Sequence, residues 1–146
     1  MSAAENKTRL QAIYADLATG DTRSFRAALH PDFVWTITGS NSWSGRYGPG
    51  FARVQDDLLR PLYARFAGRY TNHATRFLAE DDIVMVACRG NVATVEGARY
   101  DNDYCLLFRF ADGLIVEEIE YMDSALAERV LGPLPEVLER FAGQSV

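Results

Sequence analysis

From position 5 to 18, Leu10, Ile13, Tyr14 and Leu17 recur at three- and four-residue spacing, the mark of one apolar helix face. Gly20 ends this segment. Asp21 is placed to cap a second, short helix reaching Leu29, with Phe25, Ala28 and Leu29 on its apolar side and Pro31 closing it. Residues 33–38 are aromatic and β-branched and predict a strand. Residues 39–50 hold four glycines, three serines and a proline around Trp43 and Tyr47, and predict an ordered loop at the rim of a cavity. Helical spacing returns over 51–66, where Phe51, Val54, Leu58, Leu62 and Phe66 share a side and Pro61 predicts a kink or an early end.

In the second half the period falls to two. Strands are predicted over 69–79, 83–95, 99–110 and 114–122, joined by short polar or glycine-bearing turns that make neighbours antiparallel. Helices are predicted over 124–131 and around 135–141. Strands this long must twist and bend, so their concave side can be closed into a pocket. In the last strand, Val116, Glu118, Glu120 and Met122 alternate with Ile115, Glu117, Ile119 and Tyr121. The carboxylate-bearing side is either a pocket wall or a solvated face. In the strand over 83–95, Met85, Arg89 and Asn91 share a face with Ile83 and Ala87 and are expected to enter the cavity together. An enclosed Arg89 needs a carboxylate, for which Glu120 is the expected partner and Glu118 the reserve.

Composition narrows the classes. A chain of 146 residues with 48% hydrophobic and 24% charged residues suits one domain, residues 1–146, of the α+β class. The net charge of -5, with basic residues scattered, argues against nucleic acid as a partner. Without an apolar run of membrane or signal-peptide length, the expectation is a cytoplasmic protein with no membrane partner, in which Cys88 and Cys105 are free, buried thiols. Neither His30 nor His73 has metal-ligand company, and glycine-rich phosphate loops and serine-nucleophile elbows are missing, so neither a metal nor a cofactor is expected. What remains is acid–base chemistry by carboxylate, arginine and tyrosine among Trp35, Trp43, Tyr47, Tyr63, Tyr100 and Tyr104, which can either line a pocket or pack as core.

The run Trp35-Thr36-Ile37-Thr38-Gly39, followed by Trp43-Ser44-Gly45-Arg46-Tyr47-Gly48, resembles the signature of the SnoaL-like branch of the NTF2-like superfamily. Residues 100–105, the hairpin over 110–115 and the ending over 118–123 resemble the same branch in the same order. The resemblance covers about Leu10 to Leu131. It implies a cone-shaped fold: a curved, mostly antiparallel sheet covered by N-terminal helices around a central pocket. It implies less about reaction, because the superfamily hosts isomerases, cyclases, hydrolases, dehydratases and pure binders.

Residue by residue, the arginine and paired acids of limonene-epoxide-hydrolase-like members look like Arg89, Asn91 and Glu120 before Tyr121. Asn91 is no acid, so Asp101 or Asp103 would have to substitute. The single pocket acid of polyketide-cyclase-like members looks like Glu120 or Glu118. The phenol of ketosteroid-isomerase-like members looks like Tyr14, whereas their early carboxylate base falls near Thr36 and Thr38, with Asp32 at the strand start. The resulting expectation is a cofactor-independent isomerase- or cyclase-type enzyme moving a proton on a hydrophobic cyclic metabolite. Its catalytic residues would be Glu120, Arg89, Glu118 and Tyr14, and its substrate contacts Trp35, Trp43, Tyr63, Met85, Asn91 and Tyr104. A non-catalytic binder and an epoxide-hydrolase-like enzyme are the alternatives. The resemblance also implies a homodimer through the outer sheet face, where Leu107, Ile115 and Ile119 are candidates.

Overall fold

Ser2 starts the first helix ahead of its apolar period. The Ser2 hydroxyl accepts from the Glu5 N–H and the Glu5 carboxylate accepts from the Ser2 N–H, so α1 spans Ala3–Leu17. The structure is a computed structural model that describes residues 1–135 and 137. The helix expected over 135–141 lies largely outside them. Helix α2 (Arg23–Ala27) stops short of Leu29, which already belongs to β1 (Leu29–Ile37). Pro31 therefore sits inside a strand, at a point where the register against its neighbour shifts and the ladder is already interrupted.

The loop over 39–50 contains a short strand, β2 (Gly45–Tyr47), antiparallel to β1. The following helix is divided: α3 (Phe51–Val54) opens into a π-helical turn (Gln55–Leu59), then tightens into α4 (Arg60–Tyr63). The Arg60 N–H bonds five residues back to the Gln55 carbonyl, immediately before Pro61. The irregularity announced by Pro61 is thus a widened turn, a known device where the regular ladder is disturbed. Phe66, expected as the last helical residue, begins β3 (Phe66–Glu80).

Strands β4 (Ile83–Thr94), β5 (Asp103–Ala111) and β6 (Leu114–Met122) follow, then α5 (Ser124–Leu131). The sheet order is β2-β1-β6-β5-β4-β3, with every pairing antiparallel except β1 with β6. Residues 99–102, expected in strand, lie ahead of β5. There, fully buried Asn102 accepts from the Asp123 N–H and donates to the Asp123 carbonyl, fastening the end of β6. Helix α1 lies against β3 and β4, and Tyr14 meets Phe77 and Phe108 edge to face at 5.8 and 6.2 Å.

Two parities decide the interior. Phe110 pairs with Ile115 and Arg109 with Glu117, which leaves Val116 as a bulge. The bulge brings Ile115, which alternation sets on the side opposite Glu118 and Glu120, into the core together with them, and all three are buried. On β4 the inward set is Val84, Val86, Cys88, Gly90 and Val92, so Met85, Arg89 and Asn91 occupy the opposite face to the one expected. Cys105 is exposed on that outer face, correcting the expectation of two buried thiols.

Gly90 is required by packing. A Cβ there would stand 2.6 Å from the Tyr70 hydroxyl and 2.8 Å from its ring. That ring cannot easily retreat, because it is stacked on Phe66 at 5.5 Å and its hydroxyl accepts from Asn72. Gly90→Ala is expected to destabilise the protein by about 1–3 kcal/mol, the usual penalty for overpacking, read as a lower urea midpoint with an unchanged slope. An unchanged midpoint would mean that the ring has room to move.

Candidate functional site

The concave face of the sheet, α1, the divided helix and α5 enclose an inner chamber. Tyr14 reaches it from α1, Trp35 from β1, Tyr104 from β5, and Glu118 and Glu120 from β6. Trp43 also lines it, yet is only 1% exposed: its loop is fastened to both ends of α5 by Trp43 Nε1 donating to the Gly132 carbonyl at 2.8 Å and by Asn41 Nδ2 donating to the Ser124 carbonyl at 2.9 Å. The segment expected as a rim thus contributes a closed wall. Tyr63 lines the chamber from its outer side and is 42% exposed.

The two carboxyl groups are the chemical centre. Glu118 and Glu120 lie two residues apart on one strand, so both side chains project from the same face. They are 3% and 8% exposed, and among the described residues that line the chamber none is basic. Burial pushes the Glu118 carboxyl well above the usual carboxylate range, and the neighbouring Glu120 pushes it further. Among the described residues Glu118 Oε2 has no hydrogen-bond partner. Burial raises Glu120 to about 7, with Trp35 opposing the rise. Trp35 Nε1 faces this carboxyl without reaching regular hydrogen-bond geometry and remains an unused donor.

Hydroxyl groups complete the polar surface. Burial raises the Tyr14 phenol well above its ordinary value, and Cys88 and Glu118 add to the rise, so it stays a neutral donor. The Cys88 thiol donates to it at 3.9 Å, a weak contact that leaves the phenolic hydrogen available. Tyr104 is likewise held neutral by burial. Tyr100, grouped with the pocket aromatics from sequence, lines the chamber, as do Tyr70 and Asn72, which were not singled out. The signal for these two existed: Tyr70 and Asn72 alternate with Arg69, Thr71 and His73 in the two-residue period of a strand. Asn72 is 8% exposed; its Nδ2 donates to the Tyr70 hydroxyl at 3.1 Å while its Oδ1 has no partner.

Three expected site residues are elsewhere. Arg89 is exposed and faces Asp103 at 4.0 Å, so the Arg89–Glu120 pair does not form. Asn91 is exposed and bonds to Arg99 and Thr71. Met85 lies with Leu78 and Leu107 on the outer sheet face. The apolar run over 83–87 is compatible with either face; the two polar side chains that follow, Arg89 and Asn91, show which parity meets water. Asp101 is engaged by Arg99 and the Val92 N–H, and Asp103 is exposed, so neither supplies a second acid. The epoxide-hydrolase arrangement is therefore absent from these positions. Tyr47, grouped with the pocket aromatics, donates its hydroxyl to the Trp43 carbonyl at 2.7 Å and lies outside the chamber lining. Among the described residues, no group of three or more His, Cys, Asp or Glu side chains could hold a metal ion, and no helix is long and apolar enough to cross a membrane.

The model of the SnoaL-like domain matches residues 10–118, and the chain belongs to that family within the NTF2-like superfamily. The fold is similar to an NTF2-like protein of unknown function from Burkholderia pseudomallei, with a TM-score of 0.73, 22% identity, and coverage of 90% of this chain and 98% of the other. It is also similar to TerC, crystallised with polyporic acid, with a TM-score of 0.72, 19% identity, and coverage of 86% and 97%. A candidate SnoaL-like polyketide cyclase from Jannaschia sp. CCS1 gives 0.71, 16%, 89% and 93%. At these identities the likeness is one of fold. No curated protein matches the chain.

The buried acid has a measurable signature. An unfolded Glu120 ionises near 4.5 and the folded one near 7, so between these values unfolding releases a proton and stability falls as pH rises. Below about 4.5 both states are protonated and nothing is lost; above about 7 the full penalty is present, on the order of 3 kcal/mol at the standard value per pKa unit. Glu120→Gln removes the ionisation. It should match the parent protein at low pH and exceed its stability at high pH, as measured by urea unfolding across the range. A difference that does not vary with pH would exclude Glu120 ionisation as its source.

Proposed function

We propose that this SnoaL-like protein is a cofactor-independent enzyme of isomerase or cyclase type that moves a proton on a hydrophobic cyclic carbonyl compound. The observation that carries the reading is Glu120: a carboxyl group in an apolar chamber, poised near 7, beside a second carboxyl, Glu118, that is kept neutral and has a free oxygen. A base ionising near the working pH combines availability with driving force.

In this scheme ionised Glu120 removes a proton from the carbon next to the carbonyl. Negative charge moves to the carbonyl oxygen, where protonated Glu118 and the Tyr14 phenol donate hydrogen bonds. Neutral donors in a water-poor site are effective there because their dipoles are already oriented. Glu120 then returns the proton to a different carbon, completing an isomerisation. Alternatively, the enolate carbon attacks a second carbonyl of the same molecule and closes a ring, with the proton delivered to the new alkoxide. Trp35 and Tyr104 present aromatic surface to the ligand, and Asn72 Oδ1 offers an acceptor to a ligand hydroxyl. Binding without turnover is the competing reading, favoured by how much of the chamber is aromatic and tightly packed.

Assembly follows a separate line. The outer sheet face carries Leu78 and Tyr121, 54% and 48% exposed, with Met85, Leu107 and Ile119 beside them. We propose that two copies pair through it; Ile115, which the sequence left to this face or to the core, is core and takes no part. Light scattering should give twice 16.3 kDa at micromolar concentration, and Tyr121→Lys should shift the mass toward one copy. A constant 16.3 kDa species in the parent protein would reject the pairing.

The chemical reading is tested without knowing the natural substrate. Monocyclic to tricyclic ketones in D2O should exchange the hydrogens next to their carbonyl, read by proton NMR. The enzymatic rate should rise with pH and level off above about 7, following Glu120 ionisation. Glu120→Gln should lower it by about a hundred- to ten-thousand-fold while ligand affinity survives. Ketones that bind with no exchange above the buffer rate would favour the binding-only reading.

A further inference from the structure

The inner chamber adjoins an outer one, and the two share Trp35, Leu59, Tyr63, Phe66, Tyr70 and Asn72. The inner space is about 90 Å³ and the outer about 250 Å³. A dry cavity of about 150 Å³ takes a single benzene. A ring-bearing ligand that reaches Glu120 must therefore extend over the shared wall into the outer chamber, whose lining includes Arg26 and Arg69.

Both arginines are positioned by the fold. The Arg26 guanidinium lies 5.1 Å above the centre of the Phe51 ring. Arg69 Nη1 donates to the Thr19 carbonyl at 3.0 Å, and its stem lies across Gly20, where a Cβ would stand 2.4 Å from Arg69 Cδ. Among the described residues neither has a carboxylate within ion-pair distance. Asp21, the acid near enough to Arg69 to feel its charge, is itself held by Arg23 at 2.7 Å. The chamber is therefore polarised, with acid at its inner end and unpaired cations at its outer end, in a chain of net charge -5.

We propose that the ligand is an amphiphilic acid whose carboxylate, or an equivalent oxyanion, seats against Arg26 and Arg69 while its carbonyl-bearing ring points inward to Glu118 and Glu120. The inner end disfavours the reverse orientation, because a ligand carboxylate there would add a charge beside Glu118 and Glu120 with no cation among the described lining residues to balance it, whereas an enolate oxygen carries only the charge that Glu120 gives up on taking the proton. The outer arginines attract the anion and set its orientation before the ring enters. This inference rests on the reading that the inner chamber receives the ligand's ring, and it adds the chemical class of the ligand.

The experiment compares two probes of nearly equal shape, 2-naphthoate and neutral 2-naphthamide, by titration calorimetry on the whole protein at neutral pH. The parent protein should bind the carboxylate about tenfold more tightly than the amide. Arg26→Gln with Arg69→Gln should abolish that preference and leave amide affinity within about twofold, since the neutral amide has no charge to pair with either guanidinium and glutamine keeps a polar side chain at both positions. Raising the ionic strength to about 1 M, where screening acts within about 3 Å, should erode the preference in the parent protein only. Equal affinity for the two probes, a preference unchanged in the double variant, or no carboxylate binding at about 1 mM would each overturn the proposal. Because the readout is binding, the outcomes separate: a carboxylate preference with no hydrogen exchange removes the proton-transfer reading alone, and exchange without the preference removes this inference alone.

Discussion

Taking a carboxylate out of water without a cation costs several kcal/mol, and the protein answers that penalty twice by allowing the proton to stay on. Glu118 and Glu120 sit side by side on β6, nearly sealed from solvent, in a chamber with no basic side chain among its described lining residues. The absence of that counter-charge distinguishes the site from a structural ion pair. A buried arginine would hold both groups ionised and inert, whereas its absence leaves one group neutral and the other titrating near 7. Desolvation thus converts two ordinary acids into a donor and a potential base.

Holding such groups inside demands a backbone that cannot slip. The Val116 bulge places Ile115, Glu118 and Glu120 on the buried side, and a one-residue shift would expose all the polar atoms at once. Asn102 pins the far end of the strand through both backbone groups of Asp123. Arg65, only 6% exposed, donates to the Leu131 carbonyl and pairs with Glu96, so α5 is secured across the chamber. Trp43 does the same from the opposite loop. These are polar contacts around an apolar chamber, and their role is register and closure more than net stability, since a typical hydrogen bond contributes only about 1 kcal/mol.

The tyrosines extend the same principle. Tyr14, Tyr70, Tyr100 and Tyr104 present phenols that burial keeps neutral, so the surface facing a ligand is aromatic over most of its area and hydrogen-bonding at its tips. Gly90 permits this by yielding its side-chain volume to Tyr70. A small backbone residue on β4 and a large ring on β3 form one packed unit, although no short-range pattern links them.

Local periodicity was sufficient for the helix carrying Leu10, Ile13 and Tyr14, for the existence of the four long strands, and for the antiparallel hairpin at Gly113, because turn chemistry and side-chain alternation act within a few residues. The aromatic and acidic makeup of the chamber was also legible: Tyr14, Trp35, Trp43, Tyr63, Tyr104, Glu118 and Glu120 all line it. Which face of β4 turns inward was not, and Arg89, Asn91 and Met85 were assigned to the wrong side for that reason. A continuous apolar strand fits either parity until its neighbours choose one. Nor could alternation alone foresee the bulge that carries Ile115 inward, since a bulge exists only where two strands pair. The amino-acid sequence by itself determined the inventory of elements and the chemical groups available. Only the tertiary structure decided which carboxyl groups lose their water and which arginines stay outside, because desolvation depends on the whole set of neighbours that packing brings together.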